Sequence, residues 1–254
     1  MKKIRVVLII QARMGSSRLP GKSMMSLYGV PLVGRILERV KRCKSVDDIV
    51  LAVPDTENDL VLLDLANKYS VRSYAGSENN LIERFYQAAL LFNADYIVRL
   101  PADNPTPEPA EIDRIINHHI ALAHPGFSSN LAAIGNSEYP DGIGAEIFSF
   151  SLLEEVRSKK PDKQKQEHIH LNFFDYNTGL PVDEKWCPIS TLKCPAGFRR
   201  PDLILDVNTP QQYQFMCKLY DYLYPINQNF NIVDIIKWYD EIYLKSKSVI
   251  PRAL

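Results

Sequence analysis

Disulfides, membrane spans and an excess of one charge are all missing from these 254 residues, and each absence removes a class of protein. Cysteine occurs four times, at Cys43, Cys187, Cys194 and Cys217. That is too sparse for a disulfide framework, and Cys187 and Cys194 have neither zinc-ligand spacing nor a second pair beside them. Free thiols in a reducing compartment follow. No apolar run is long enough to span a bilayer. The opening MKKIRVVLII stops at Gln11-Ala12-Arg13, too short and too polar afterwards for a signal peptide, so the sequence reads as cytoplasmic and membrane-free. Thirty Lys and Arg balance thirty Asp and Glu. A large nucleic-acid surface would make the chain basic, so nucleic acid is excluded, while local basic clusters stay available to a small anion. Neither Gly-x-Ser-x-Gly nor Gly-x-Gly-x-x-Gly occurs, which removes support for a serine hydrolase or a dinucleotide enzyme. His118, His119 and His124 lie on or after a helix without a carboxylate cluster and read as surface residues. His168 and His170, two apart on an expected helix, should diverge and do not have the spacing of a zinc helix.

What is present is alternation. Ile4–Ile10 is a continuous β-branched run of the kind found in buried parallel strands. Helical spacing follows in PLVGRILERVKRCK, then a strand in DIVLAV, a helix in ENDLVLLDLANKY with Asp55 or Thr56 as its cap, and a short strand in SVRSYAG. NLIERFYQAALLF reads as a helix, DYIVRL as a strand and PAEIDRIINHHIALA as a helix. Strand and helix in turn, with short links, predict an α/β fold: a mostly parallel sheet with helices on both faces. The second half is less regular. AEIFSF, CPISTL and DLILDV read as strands. SLLEEVRSKK, KQEHIHLNFFDY, PQQYQFMCKLYDYL and NIVDIIKWYDEIYLKS read as helices, Pro210 suiting a first turn. No repeat or linker divides the chain, so residues 1–254 read as one domain with an irregular region at about 130–200.

In such sheets ligands sit at the carboxyl ends of the strands. Two polar segments lie there. MGSSRLPGKS, after the first strand, approaches a phosphate-binding P-loop but has five residues where four are required. Its Pro20 also removes an N–H that such a cradle needs. Arg13, Ser16, Ser17, Arg18 and Lys22 still crowd one loop beside Gly15, an anion site by their chemistry. After the strand ending at Leu100 stands Asp103, either a ligand for Mg²⁺ or a turn residue in Asp-Asn-Pro. Asp206 and Asn208 are two apart at the end of DLILDVN, so on a strand their side chains point together. Asn208 or Thr209 is equally suited to cap the helix that starts near Pro210.

IIQARMGSSRLPGKSM closely resembles the amino-terminal signature of the CMP-sugar-type cytidylyltransferases, nearest to the spore-coat polysaccharide biosynthesis protein F branch and related to the acylneuraminate and ketodeoxyoctonate enzymes. YAGSENNLIERFYQAA, IVRLPADNP, YPDGIGAEIFSF, QEHIH and VNTPQQY match in order, from about residue 4 to 225. The resemblance implies a nucleotide-diphospho-sugar transferase (glycosyltransferase-A-like) fold. It also implies transfer of CMP from CTP to a sugar, acidic sugar or phosphorylated acceptor, with Mg²⁺ or Mn²⁺ and release of pyrophosphate, in polysaccharide biosynthesis. It assigns nucleotide contacts to Gln11, Ala12, Arg13, Gly15, Ser16, Ser17, Arg18, Lys22 and Ala102, and more loosely to Glu78 and Arg84. Metal contacts fall to Asp103, Asp206 and Asn208, and acceptor contacts to Asp141, Glu146 and His168. Arg13, Lys22, Asp103 and Asp206 would carry the catalysis, in a homodimer. Three positions depart from the branch: Asn208 and Gly144 stand where it has Asp, and Asn104 where it has Cys. A glycosyltransferase of the same fold and a non-catalytic nucleotide-binding homologue are the alternatives.

Overall fold

Val6, Leu8 and Ile10 of the first strand enter one apolar core, and Val7 and Ile9 enter another. A strand buried on both faces sends alternate residues to opposite sides, and this one has a helical layer on each. A computed structural model describes residues 3–131, 134 and 137–248. The chain runs β1 (Val6–Gln11), the hairpin β2 (Ser26–Leu27) and β3 (Val30–Pro31), α1 (Leu32–Val40), β4 (Asp48–Pro54), α2 (Leu60–Lys68), β5 (Arg72–Gly76), α3 (Leu81–Leu91), β6 (Tyr96–Pro101) and α4 (Pro109–Ala121). It continues through β7 (Phe127–Ser129), β8 (Glu146–Ser149), α5 (Phe150–Ser158), α6 (Lys163–Glu167), β9 (Ile189–Ser190), α7 (Pro210–Ile226), α8 (Ile232–Trp238) and α9 (Leu244–Ser248).

Seven strands form the main sheet in the order β5-β4-β1-β6-β8-β7-β9. β5, β4, β1 and β6 are parallel, and β8 runs against both β6 and β7. One core lies beneath α1, α2, α4, α7 and α8, the other beneath α3 and α5. The expected α/β architecture is therefore present. Successive strands first step outward from β1 to β4 and β5, then return to its other side as β6. That reversal opens a crevice at the carboxyl ends of β1 and β6. Register makes it narrow: Gln11 pairs with both Ala52 and Pro101, so the loops after β1 and β6 leave the sheet side by side.

The sequence reading of DLILDV as a strand is corrected. Only Ile204 forms a bridge, an isolated parallel one to Asp141. The segment instead ties two loops together. Asp141 N–H donates to the Leu203 carbonyl, Leu205 N–H to that of Asp141, and Val207 N–H to that of Asp103 at 2.7 Å. The hairpin β2–β3 and strand β7 are too short to carry a periodic signal. Thr209, not Asn208, caps α7, in a capping box with Gln212 and with Pro210 at the first turn. Asn208 is thereby left for the crevice. His119 is also a correction. It is fully buried against Tyr96, its Nδ1 lies 2.7 Å from Ser128 Oγ, and burial pushes its pKa down to about 4. The four cysteines are free thiols.

Candidate active site

The loop that leaves β1 is folded by its own polar groups. Gly21 N–H and Ser16 N–H both donate to the Met14 carbonyl, and Ser23 Oγ donates to that of Arg13. Gly21 occupies the left-handed region at φ 72°, which a side chain there would strain. Leu19 anchors the loop in the core. From below, the buried Asp59 carboxylate accepts Met14 N–H and the Thr56 hydroxyl, each at 2.6 Å. These contacts aim Lys22 inward. Its side chain is 12% exposed, and its ammonium donates to Asp103 Oδ2 at 3.2 Å, the Val207 carbonyl at 2.9 Å and Asn208 Oδ1 at 2.9 Å.

Asn208 is the hinge of the site. Its Oδ1 also accepts from Arg18 at 2.8 Å, while its amide N–H donates to Asp206 Oδ2. An aspartate at 208 would lose that donor and set two carboxylates against each other, which gives the departure from Asp a local reason. The sequence expectation that residues 206 and 208 point together holds, although the segment is extended loop. Asp103, Asp141 and Asp206 face one another. Burial and then the charges of Asp141 and Asp103 push the Asp206 carboxyl up to about 6. Burial and then Asp103 raise Asp141 as well.

The resulting cleft, about 580 Å³, is lined by Gln11, Ala12, Arg13, Ser16, Ser17, Arg18, Lys22, Ala102, Asp103, Asp141, Glu146, His168, Asp206 and Asn208 among others. Gly15, Glu78 and Arg84 lie outside that lining. Glu78 is exposed. Arg84 is buried and donates to the Ser77 carbonyl; burial and then Arg13 lower its pKa to about 10. Arg13 itself is half exposed and paired with Glu167 at 3.1 Å.

Several lining residues were not anticipated from the sequence: Arg99, His170, Leu131, Leu171 and Tyr176. Arg99 carried a readable signal, a charge in the middle of an apolar strand. It donates from Nε to Gln11 and from Nη1 to Glu146 at 2.6 Å, and both charged residues are buried. Arg99→Met leaves Glu146 uncompensated and lowers unfolding stability by about 3–5 kcal/mol. Adding Glu146→Leu restores most of that, as measured by denaturant titration of both variants.

His168 and His170 do not diverge as expected. α6 ends at Glu167, and the chain turns at His168 into a 3₁₀ turn, Ile169–Asn172. Their ring centroids come within 5.8 Å, both on the cleft wall. Burial and then the Arg99 charge push the His170 pKa down to about 3, so it is neutral. Gly144, the second departure, fits its surroundings: a Cβ there would come within 2.6 Å of the Asn130 carbonyl.

A basic loop faces half-buried carboxylates where the strand order of a mostly parallel sheet reverses, the place where α/β folds hold their ligands. The chain belongs to the cytidylyltransferase family, whose model matches residues 7–226, and it is a nucleotidyltransferase. The spore coat polysaccharide biosynthesis protein SpsF of Bacillus subtilis is 32% identical over 220 residues, covering 85% of this chain and 86% of that one. A cytidylyltransferase structure from Leptospira borgpetersenii superposes with a TM-score of 0.83 at 27% identity, covering 99% of each chain. A CMP:2-keto-3-deoxy-manno-octonic acid synthetase complexed with CTP shares the fold, with a TM-score of 0.60 at 16% identity over 85% of this chain and 98% of that one.

Proposed function

We propose that the enzyme transfers CMP from CTP to a sugar-type acceptor for glycan assembly, with Mg²⁺ as its cation. The observation that carries this reading is the meeting of Lys22, Arg18, Asp103 and Asp206 around Asn208. An acceptor oxygen attacks the α-phosphorus, a new P–O bond forms, and the bond to the β-phosphate oxygen breaks to release pyrophosphate. Transfer of this kind depends mainly on positioning and charge neutralisation. Lys22 and Arg18 place positive charge where the leaving pyrophosphate gains negative charge. Arg13 and the hydroxyls of Ser16 and Ser17, on the same wall, are the remaining phosphate contacts of the loop.

Among the described residues no three His, Cys, Asp or Glu side chains form a ready-made metal cage. Mg²⁺ does not require one, since it habitually takes one or two carboxylates and completes its shell with phosphate oxygens and water. Asp103 and Asp206 suit that role: burial, and then the charges of Asp141 and Asp103, raise the Asp206 carboxyl, and a cation would offset both. Such an ion would withdraw electrons from the α-phosphate. No described helix is long and apolar enough to cross a membrane. The homodimer is what the resemblance implies, and the cytoplasmic placement is read from the sequence's sparse cysteines and short apolar runs.

The test is a pyrophosphate-release screen of the four ribonucleoside triphosphates against a panel of sugars and phosphorylated sugars. CTP with Mg²⁺ is expected to give acceptor-dependent release at least ten times that of any other nucleotide. A preference for another triphosphate would sink the reading.

A further inference from the structure

Register brings Gln11, Arg99 and Glu146 to one face of the sheet. Val7 and Ile9 of β1, Ile97 of β6 and Phe148 of β8 all enter the core beneath α3 and α5. Residues two apart on a strand share a face, so Gln11, Arg99 and Glu146 continue that face toward the cleft. Arg99 stands opposite Glu146 across β6 and β8, and opposite Ile9 across β6 and β1, which puts Gln11 on its diagonal. Apolar side chains would simply extend the core. The face ends instead in three polar groups, of which the two charged ones are buried.

The bond from Arg99 to Gln11 decides which way the amide faces. A guanidinium has five N–H donors and no acceptor. Whatever Gln11 turns toward Arg99 Nε, 2.9 Å away, must therefore be its carbonyl oxygen, because the reversed amide would set N–H against N–H. Glu146 in turn holds Arg99 by Nη1 at 2.6 Å. The part of the amide left over is Nε2. It has no hydrogen-bond partner among the described residues, and it belongs to a side chain that lines the cleft. A glutamine free to rotate offers a ligand either a donor or an acceptor; this one offers a donor.

We propose that Arg99 is a positioning residue that acts through Gln11: it fixes the amide so that Nε2 donates a hydrogen bond to an acceptor atom of the bound nucleotide. That a nucleotide lies there rests on the transferase reading; the polarity of the contact rests on Arg99. The resemblance gives Gln11 a nucleotide contact without that polarity, and it gives Arg99 no part.

Binding without turnover tests this. Mg²⁺ and α,β-methylene-CTP are titrated calorimetrically into the full chain with no acceptor present. Gln11→Met is expected to weaken binding about five- to tenfold, the worth of one hydrogen bond. Arg99→Met combined with Glu146→Leu, the pair expected to keep most of the stability, should weaken it by a similar factor. Adding Gln11→Met to that pair should then cost less than about twofold more, since the two changes remove one contact. A merely structural Arg99 would leave the affinity of the pair at the parent value or make the two losses multiply, and either result overturns the inference. If the pair does not fold, Arg99→Lys takes its place. Lysine keeps a charge for Glu146 but cannot hold two partners in the fork geometry of a guanidinium, and the same loss is expected. In ¹⁵N–¹H spectra of the parent, the side-chain amide signal that is absent from Gln11→Met should shift when the analogue is added. An unmoved signal, a parent that binds no analogue, or Gln11→Met within twofold of the parent also overturns the inference. If these binding results hold while no acceptor yields pyrophosphate, the transferase reading falls and the role of Arg99 stands.

Discussion

Replacing Lys22 with methionine is expected to reduce kcat/KM for CTP by roughly 10²–10³-fold, the magnitude lost when one preorganised charged contact to a transition state is deleted. The ammonium has two tasks in the structure. It ties the β1 loop to the end of the 203–208 segment through the Val207 carbonyl and Asn208, and it offsets the charge of Asp103. All three N–H groups are used, so a bound triphosphate must take over at least one of them. A purely structural role would raise KM and lower stability while leaving kcat near its starting value. A phosphate role lowers kcat itself, because the charge on departing pyrophosphate peaks in the transition state. Lys22→Arg is not expected to rescue, since a planar guanidinium cannot reproduce three divergent donors converging on acceptors 2.9–3.2 Å away. Single-turnover measurements on Lys22→Met and Lys22→Arg, with saturating nucleotide, make the comparison. Retention of kcat within a few-fold in both would refute the assignment.

How much of this site was legible in the sequence depended on distance along the chain. The β1 loop and Asp103 were legible, because each follows a strongly apolar strand and the sheet rule puts both at one rim. Asp206 and Asn208 were found as a pair for a partly wrong reason. Their segment is extended but takes no place in the sheet, and its alternating pattern reflects burial of Leu203, Leu205 and Val207 against the core. Periodicity reports which face is buried, not which partner supplies the hydrogen bonds.

The acceptor end was less legible. Asp141 reaches the cleft through one isolated bridge. His168 and His170 approach each other because the short helix α6 stops before both, at Glu167, and the chain turns at His168. Both facts are made by contacts remote in sequence, which a one-dimensional pattern does not hold. His119 illustrates the converse. It sits on a helix face that looked solvated, but the short strand β7 covers it, and three residues of strand leave too little pattern to read.

Asp206→Asn should show that the site trades stability for function. The folded-state pKa of Asp206 is raised to about 6 from a usual 3.8. Below the unfolded value both states are protonated and the residue contributes nothing to pH dependence. As pH rises toward the folded value, the unfolded chain ionises freely while the folded one resists, so stability falls, and above about 6 the full cost is present. Asparagine removes the charge and keeps the shape. In metal-free buffer the variant should therefore melt above the parent protein at about pH 8 and converge with it below about pH 4. Mg²⁺ should raise the melting temperature of the parent more than that of the variant, because ligand binding to the native state stabilises it by mass action. Turnover should meanwhile drop by roughly 10²-fold or more, as charge stabilisation at the α-phosphate is lost. The three readouts must move together. A variant that melts below the parent at about pH 8, or that keeps its turnover, would mean that Asp206 is held in place by its neighbours rather than poised against them for a cation.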